Sequence, residues 1–325
     1  MAVGVIREAA AAEVARCVEE EGAGFPAINL VWRALRARGR LLAEGDGFAW
    51  GLLPLLVCEA AGGDPARALP LSTAAECFIS AADTLDDVQD RDTEEGLWRV
   101  SGVATATNVG AFLLFLSQLA LGRLRTLRVP EGAVLDIVQA FAAAGARACA
   151  GQQRDLDRGN AESMDEAEYL RMIEAKSASM VECLCRSGAI VAGAGSDEVE
   201  AFARFGLNAG TALQIGNDLA ADSTRREDRN DLRLGKLSLP ALFALENGPE
   251  ELREELGGLF RRARVGQLSP DGVDRIRDLL AASGGLYYAF AVADVYWDRA
   301  LSCLDGVAPG QAVPLLDLVA RMRGS

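Results

Sequence analysis

The stretch Asp83-Thr84-Leu85-Asp86-Asp87-Val88-Gln89-Asp90 places four carboxylates in eight positions at the end of an apolar run from Leu69 to Leu85. On an α-helix Asp86 and Asp90 share one face, while Asp83 and Asp87 share the adjoining one. Such carboxylates repel one another unless a cation lies among them. A hard divalent ion, Mg²⁺ above all, takes oxygen from one or two carboxylates and completes its octahedron with water and phosphate oxygens. A solvated acidic helix end is the alternative, and this segment alone does not choose between the two. A second acidic segment runs from Gln214 to Asp222 and also closes an apolar helical run. Asp218 and Asp222 share a face there, and Asn217 adds an amide oxygen. Only two of the 33 basic residues are lysines, Lys176 and Lys236. A lysine brings a compact charge suited to a phosphate oxygen, whereas arginine brings a rigid fork. Two phosphate contacts and an arginine-rich composition are both consistent with that skew.

The elements that must position these groups read as helices. Half of the residues are apolar, only 6% are aromatic, and alanine and leucine dominate, which suits an all-α core of small and aliphatic side chains. Apolar periodicity predicts helices over residues 6–21, 28–42, 48–61, 66–90, 103–127, 130–155, 165–188 and 197–222. Further helices are expected over 234–246, interrupted at Pro240, and over 249–264, 270–282, 286–304 and 311–323. No linker-like stretch divides residues 1–325, so a single helical domain around a central apolar cavity is expected. The net charge of −14 argues against nucleic acid or an anionic membrane as partner. Seven cysteines without paired zinc-ligand spacing, and no histidine, suggest reduced thiols in a cytoplasm. No signal-like start is seen, and no apolar run is expected to reach membrane-spanning length uninterrupted, so stable membrane insertion is not expected.

With these residues in view, the sequence resembles the trans-isoprenyl diphosphate synthases, or polyprenyl synthetases, of the all-helical class I isoprenoid synthase fold. Five segments carry the resemblance in order: Asp86-Asp87-Val88-Gln89-Asp90, Gly151-Gln152-Gln153-Arg154-Asp155-Leu156, Tyr169 to Ser177, Gln214-Ile215 with Asp218, and Gly235-Lys236 with Ser238-Leu239-Pro240. The resemblance implies two acidic faces holding Mg²⁺ around an allylic prenyl diphosphate, from Asp86, Asp87 and Asp90 and from Asn217, Asp218 and Asp222. It further implies that Lys176 and Lys236 contact the diphosphate, that Gln152 and Gln214 line the substrate site, and that the protein forms a homodimer.

The sequence also departs from that family. Where members carry Gly-Gly-Lys-Arg-x-Arg-Pro, this chain has Phe48-Ala49-Trp50-Gly51-Leu52-Leu53-Pro54, without a cation. Glu94-Glu95-Gly96 stands where members have Arg-Arg-Gly. Replacing phosphate-binding cations by apolar and acidic residues should abolish an electrostatic site for isopentenyl diphosphate. The second acidic segment is worn as well, with Asn217 first and Ala221 where its last aspartate would be. Ala81 and Ala82 stand where members use bulky residues to limit prenyl length, leaving Phe78 either as the next floor or as a core-packing residue. Helix rise then suggests about fifteen to twenty carbons. The expected function is therefore Mg²⁺-dependent ionisation of an allylic diphosphate, followed by cyclisation as in a terpene synthase or by transfer to a non-isopentenyl acceptor. Chain elongation is the alternative, and a non-catalytic regulatory subunit is a third reading.

Overall fold

Alanine and leucine at helical spacing, with glycine and proline at the joints, build a chain of helices connected by short turns. The structure is a computed structural model that describes residues 3–45, 48–90, 96–158, 164–223 and 231–323. Among the described residues there is no strand, as the all-α expectation requires. The helices are α1 Val3–Gly22, α2 Ile28–Leu35, α3 Leu53–Ala60, α4 Leu69–Asp90, α5 Leu97–Ser101, α6 Val103–Gly122, α7 Glu131–Arg158 and α8 Glu166–Ile173. They continue as α9 Ser179–Ala192, α10 Ser196–Ser223, α11 Asp231–Leu234, α12 Leu239–Asn247, α13 Glu250–Arg264, α14 Pro270–Ala282, α15 Gly285–Ser302 and α16 Pro309–Arg323.

Several boundaries differ from the periodicity reading for identifiable reasons. The helix expected over 28–42 ends at Leu35, because the backbone N–H groups of Leu41 and Gly51 bond instead to the buried carboxylate of Glu76. Pro240 does not interrupt a helix but opens α12, where its missing N–H costs nothing. The helix expected over 165–188 starts with a capping box, Asp165 with Glu168, and then passes through a π-helical turn, Glu174–Ala178. Two helical stretches, Val103–Leu127 and Glu131–Arg158, are long and apolar enough to cross a membrane by length and composition. That corrects the expectation that no apolar run reaches such a length. Only 39% and 22% of those two apolar windows are buried within the chain itself, so burial in its own interior does not account for their composition.

The chain groups into two compact units. The first comprises Met1–Gly145, Met180–Gly206 and Leu301–Ser325, and the second Ala146–Ser179 and Leu207–Ala300. In the first unit α4 is the central element, packed most extensively along α6. A methyl group on Gly110 of α6 would meet the Leu85 side chain of α4 at 2.8 Å, so glycine is what lets the two helices approach there. The second unit is built on Tyr169, Met172, Ile173, Ile215, Leu239, Phe260, Ile276 and Leu280, all buried. No disulfide joins the seven cysteines, and five of them are buried.

Candidate active site

In the first unit, Asp86, Asp87 and Asp90 end α4 and are all half-buried. Asp83, the fourth carboxylate of that stretch, is committed elsewhere. It pairs with the guanidinium of Arg40, whose Nε also donates to Ser80 Oγ at 2.8 Å. Arg40 is itself buried, and with Glu76 it ties the loop after α2 to the face of α4. Burial pushes the Glu76 carboxyl up from its ordinary pKa, against the pull of Arg40 and the two backbone N–H groups. Phe78 and Ala81 are buried and Ala82 is half-buried. The Phe78 ring lies 5.4 Å from that of Phe141, and Gly145 of α7 also faces it. In the stretch without cations, Ala49, Gly51, Leu52 and Leu53 are buried, and Trp50 is half-buried with an edge contact to Phe48. Glu94 and Glu95 lie outside the described residues.

In the second unit Lys176, Lys236, Gln214, Asp218 and Asp222 each enter a polar cluster of hydrogen bonds or ion pairs. Lys176 Nζ and Lys236 Nζ bond the same oxygen of Asp155, at 2.8 and 3.1 Å. Arg158 pairs with the other Asp155 oxygen at 2.8 Å. Burial opposes the charge on Asp155, but these three cations outweigh it and hold the carboxyl far below the usual range. The sequence marks Asp155 only as part of the motif over 151–156 and does not mark Arg158; partners 21 and 81 residues away carry no local signal. The π-helical turn presents Lys176 directly against Gly151 of α7, where an added methyl would sit 2.6 Å from the Lys176 Cα. Such turns insert one residue into a helix and re-aim its side chains.

Gln214 joins Ser177 to Asp218. Its amide accepts from Ser177 Oγ at 2.8 Å and donates to Asp218 Oδ1 at 2.8 Å. The other Asp218 oxygen accepts from the buried Tyr169 hydroxyl at 2.7 Å. Asp222 is buried and accepts from Ser238 Oγ. Burial, reinforced by the Asp218 and Asp231 charges and opposed by Ser238, pushes the Asp222 carboxyl up to about 7. Burial also raises Asp218. Asn217 is exposed. Gln152 differs from all of these, because both polar atoms of its amide are buried and make no hydrogen bond. A buried amide left so costs about 1–3 kcal/mol per group, which is the expense of holding a donor and an acceptor ready for a ligand.

These donor sets answer the metal question differently. Among the described residues no group of three or more acidic or cysteine side chains is placed to hold a metal ion by itself. Mg²⁺ characteristically takes only one or two carboxylates and completes its shell with water and phosphate, so Asp86 with Asp90, and Asp87 beside them, are a chemically suitable set. The second segment does not fit. Asp218 and Asp222 are engaged by protein donors, Asn217 is neutral, and Ala221 offers nothing.

The model of the family described as polyprenyl synthetase matches residues 50–268. The chain belongs to that family. This polyprenyl synthetase is 30% identical over 272 residues to a geranylgeranyl diphosphate synthase of Mycobacterium tuberculosis, covering 81% of this chain and 76% of that one. It is 28% identical over 280 residues to a geranylfarnesyl diphosphate synthase of Aeropyrum pernix, covering 79% and 82% of the two chains. The crystal structure of a geranylgeranyl pyrophosphate synthase superposes with a TM-score of 0.84 at 21% identity, covering 100% and 99% of the two chains. A geranylgeranyl pyrophosphate synthase from Corynebacterium glutamicum, complexed with isoprenyl diphosphate and magnesium, superposes at 0.83 and 17% identity over 99% of each chain. The fold of this polyprenyl synthetase is thus the all-α isoprenoid synthase fold, and the family makes it an enzyme of isoprenoid biosynthesis that transfers prenyl groups. The relatives named are chain-elongating synthases, which favours elongation over the cyclisation or alternative transfer expected from the sequence.

Proposed function

We propose that this polyprenyl synthetase ionises an allylic prenyl diphosphate and joins the resulting cation to isopentenyl diphosphate, as the names of its relatives indicate. The observation that carries the ionisation half is the pair of lysines converging on Asp155, three residues along α7 from the unsatisfied amide of Gln152. In the reaction the allylic carbon–oxygen bond breaks, and its electron pair leaves with the diphosphate. Lys176 and Lys236 turn from Asp155 to the departing oxygens and stabilise the charge as it develops. Gln152 donates to the same group. Mg²⁺ held by Asp86, Asp87 and Asp90 would neutralise charge on a diphosphate. The apolar bundle keeps water from the cation, and the double bond of the acceptor attacks it before a proton is lost. The same reading carries one domain, a homodimer and a cytoplasmic location. The exposed Phe115 and Leu119 of α6 and Leu135 of α7 are the apolar surface that a second copy would cover.

A second reading has its own observation. The stretch 48–53 holds no cation, and Arg40, which the fold brings to the same face of α4, is committed to Ser80 and Asp83. Cyclisation, or transfer to an uncharged acceptor, needs no second anion site. The two readings separate when purified protein with Mg²⁺ is given geranyl, farnesyl or geranylgeranyl diphosphate, with and without isopentenyl diphosphate. Longer diphosphates establish elongation. Diphosphate release with hydrocarbon or alcohol products, unaffected by isopentenyl diphosphate, refutes elongation and establishes the second reading. No release under any condition refutes both and leaves the regulatory subunit.

A further inference from the structure

At the second acidic segment the chain supplies its own positive charge. Arg158, the last residue of α7, is only 6% exposed and donates to the Leu237 carbonyl at 2.9 Å. Burial works against the charged guanidinium, but Asp155, Asp218 and Asp231 lie close enough to outweigh it and raise its pKa. The same guanidinium acts back on Asp218 and Asp222, lowering both against the effect of their burial. Arg158 is therefore the positive end of a buried set in which each carboxylate also has a specific protein donor. Gln214 and Tyr169 serve Asp218, Ser238 serves Asp222, and Lys176 and Lys236 serve Asp155.

We propose that Arg158 stands at the second acidic segment in place of a metal ion, so that metal binding in this enzyme falls to the α4 carboxylates alone. The proposal rests on the ionisation reading above for its functional meaning. Its physical basis is separate. A dication entering beside Asp218 must displace hydrogen bonds from a buried tyrosine and a glutamine and sit next to a fixed guanidinium, which repels it. The segment offers little in return, because Asn217 is neutral and exposed and position 221 is alanine. Arginine stays protonated at any working pH, so this charge is permanent, whereas a metal would exchange. The segment's carboxylates then serve to hold Arg158, Tyr169 and Gln214 in place, and through Ser177 they fix the turn that carries Lys176.

The test counts bound Mn²⁺, a spectroscopically visible substitute for Mg²⁺, by electron paramagnetic resonance in the presence of inorganic pyrophosphate. Asp218→Asn and Asp222→Asn each keep an oxygen for the Tyr169 or Ser238 hydroxyl, and circular dichroism verifies folding. Both are expected to bind the wild-type number of Mn²⁺ ions with affinities within about twofold, whereas Asp86→Asn loses about tenfold or more. A loss of that size in folded Asp218→Asn or Asp222→Asn overturns the proposal. A further arm restores the worn segment with Asn217→Asp. No added Mn²⁺ is expected while Arg158 is present, and one added ion is expected when Arg158→Gln is combined with it. An added ion in Asn217→Asp alone overturns the proposal. So does its absence from a folded double variant. Wild-type protein that binds no Mn²⁺ at all refutes the metal-assisted ionisation proposed above while supporting a metal-free second segment, so the two failures are distinguishable.

Discussion

Gly151→Ala tests whether the close approach of α7 to the π-helical turn sets the position of Lys176. Inside a helix the exchange would ordinarily stabilise by up to about 1 kcal/mol, since alanine is the better helix former. Here the new methyl would lie 2.6 Å from the Lys176 Cα, where ordinary contacts begin at 3.4 Å, and its neighbours are backbone atoms that no rotamer change can move. The two segments must separate by more than about 0.8 Å, because the backbone N of Lys176 would lie closer to the methyl than its Cα does. Overpacking of this kind costs about 1–3 kcal/mol, which outweighs the propensity gain or cancels it. The larger effect is on chemistry, because displacing a catalytic group by about 1 Å costs about 10²-fold in rate. Diphosphate release, followed with a coupled pyrophosphatase, should therefore fall by one to two orders of magnitude in kcat, while thermal unfolding shifts by a few degrees. Unchanged kcat in a folded variant would refute the argument that this contact aims Lys176. An unchanged melting temperature with unchanged kcat would refute the contact itself.

Four other outcomes follow from the same geometry. Asp155→Asn leaves Lys176, Lys236 and Arg158 without their shared counter-charge and should destabilise by about 3–5 kcal/mol in thermal or denaturant unfolding. The depressed Asp155 pKa makes its contribution present above the unfolded value near 3.8 and lost as pH falls below it, so the variant should also show a weaker acid transition. Asp222 has the opposite sign: with its pKa raised to about 7, its contribution is complete below pH 3.8 and is lost as pH rises toward 7. The loss is on the order of 4 kcal/mol, and Asp222→Asn should flatten the stability profile across that window. Gln152→Leu removes an unsatisfied buried amide and should raise the melting temperature while lowering diphosphate release, and a fall in both would contradict the assignment. Phe115→Glu should turn a dimer into a monomer in light scattering, because it places a charge on the most exposed apolar residue of α6.

What the sequence made legible were features whose cause is local. Helical periodicity, the cluster ending α4 and the two lysines are each a matter of spacing or count. The helix over 270–282 is predicted to the residue, since Pro270 follows the Ser269 cap. What it left out depends on distant partners. Nothing near Arg40 announces Ser80 and Asp83, and nothing near Arg158 announces Asp155, Leu237 and the second acidic segment. The worn segment was legible as missing ligands but not as an occupied one, because the substitute cation comes from another helix. On the acceptor the two lines of reasoning part: the missing cations point to a non-isopentenyl partner, whereas the names of the relatives favour elongation.

Asp155 also bears on how the enzyme meets the anions around it. A carboxylate tethered between two lysines is an internal competitor, present at an effective concentration of at least millimolar order whatever the solution contains. Inorganic phosphate or a nucleotide monophosphate, with one phosphoryl group to offer, gains too little to displace it. A diphosphate can engage both lysines at once and recover what the ion pairs lose. If the lysines act as proposed above, the resting enzyme is in this sense inhibited by its own side chain, and the depth of that inhibition would set which anions enter.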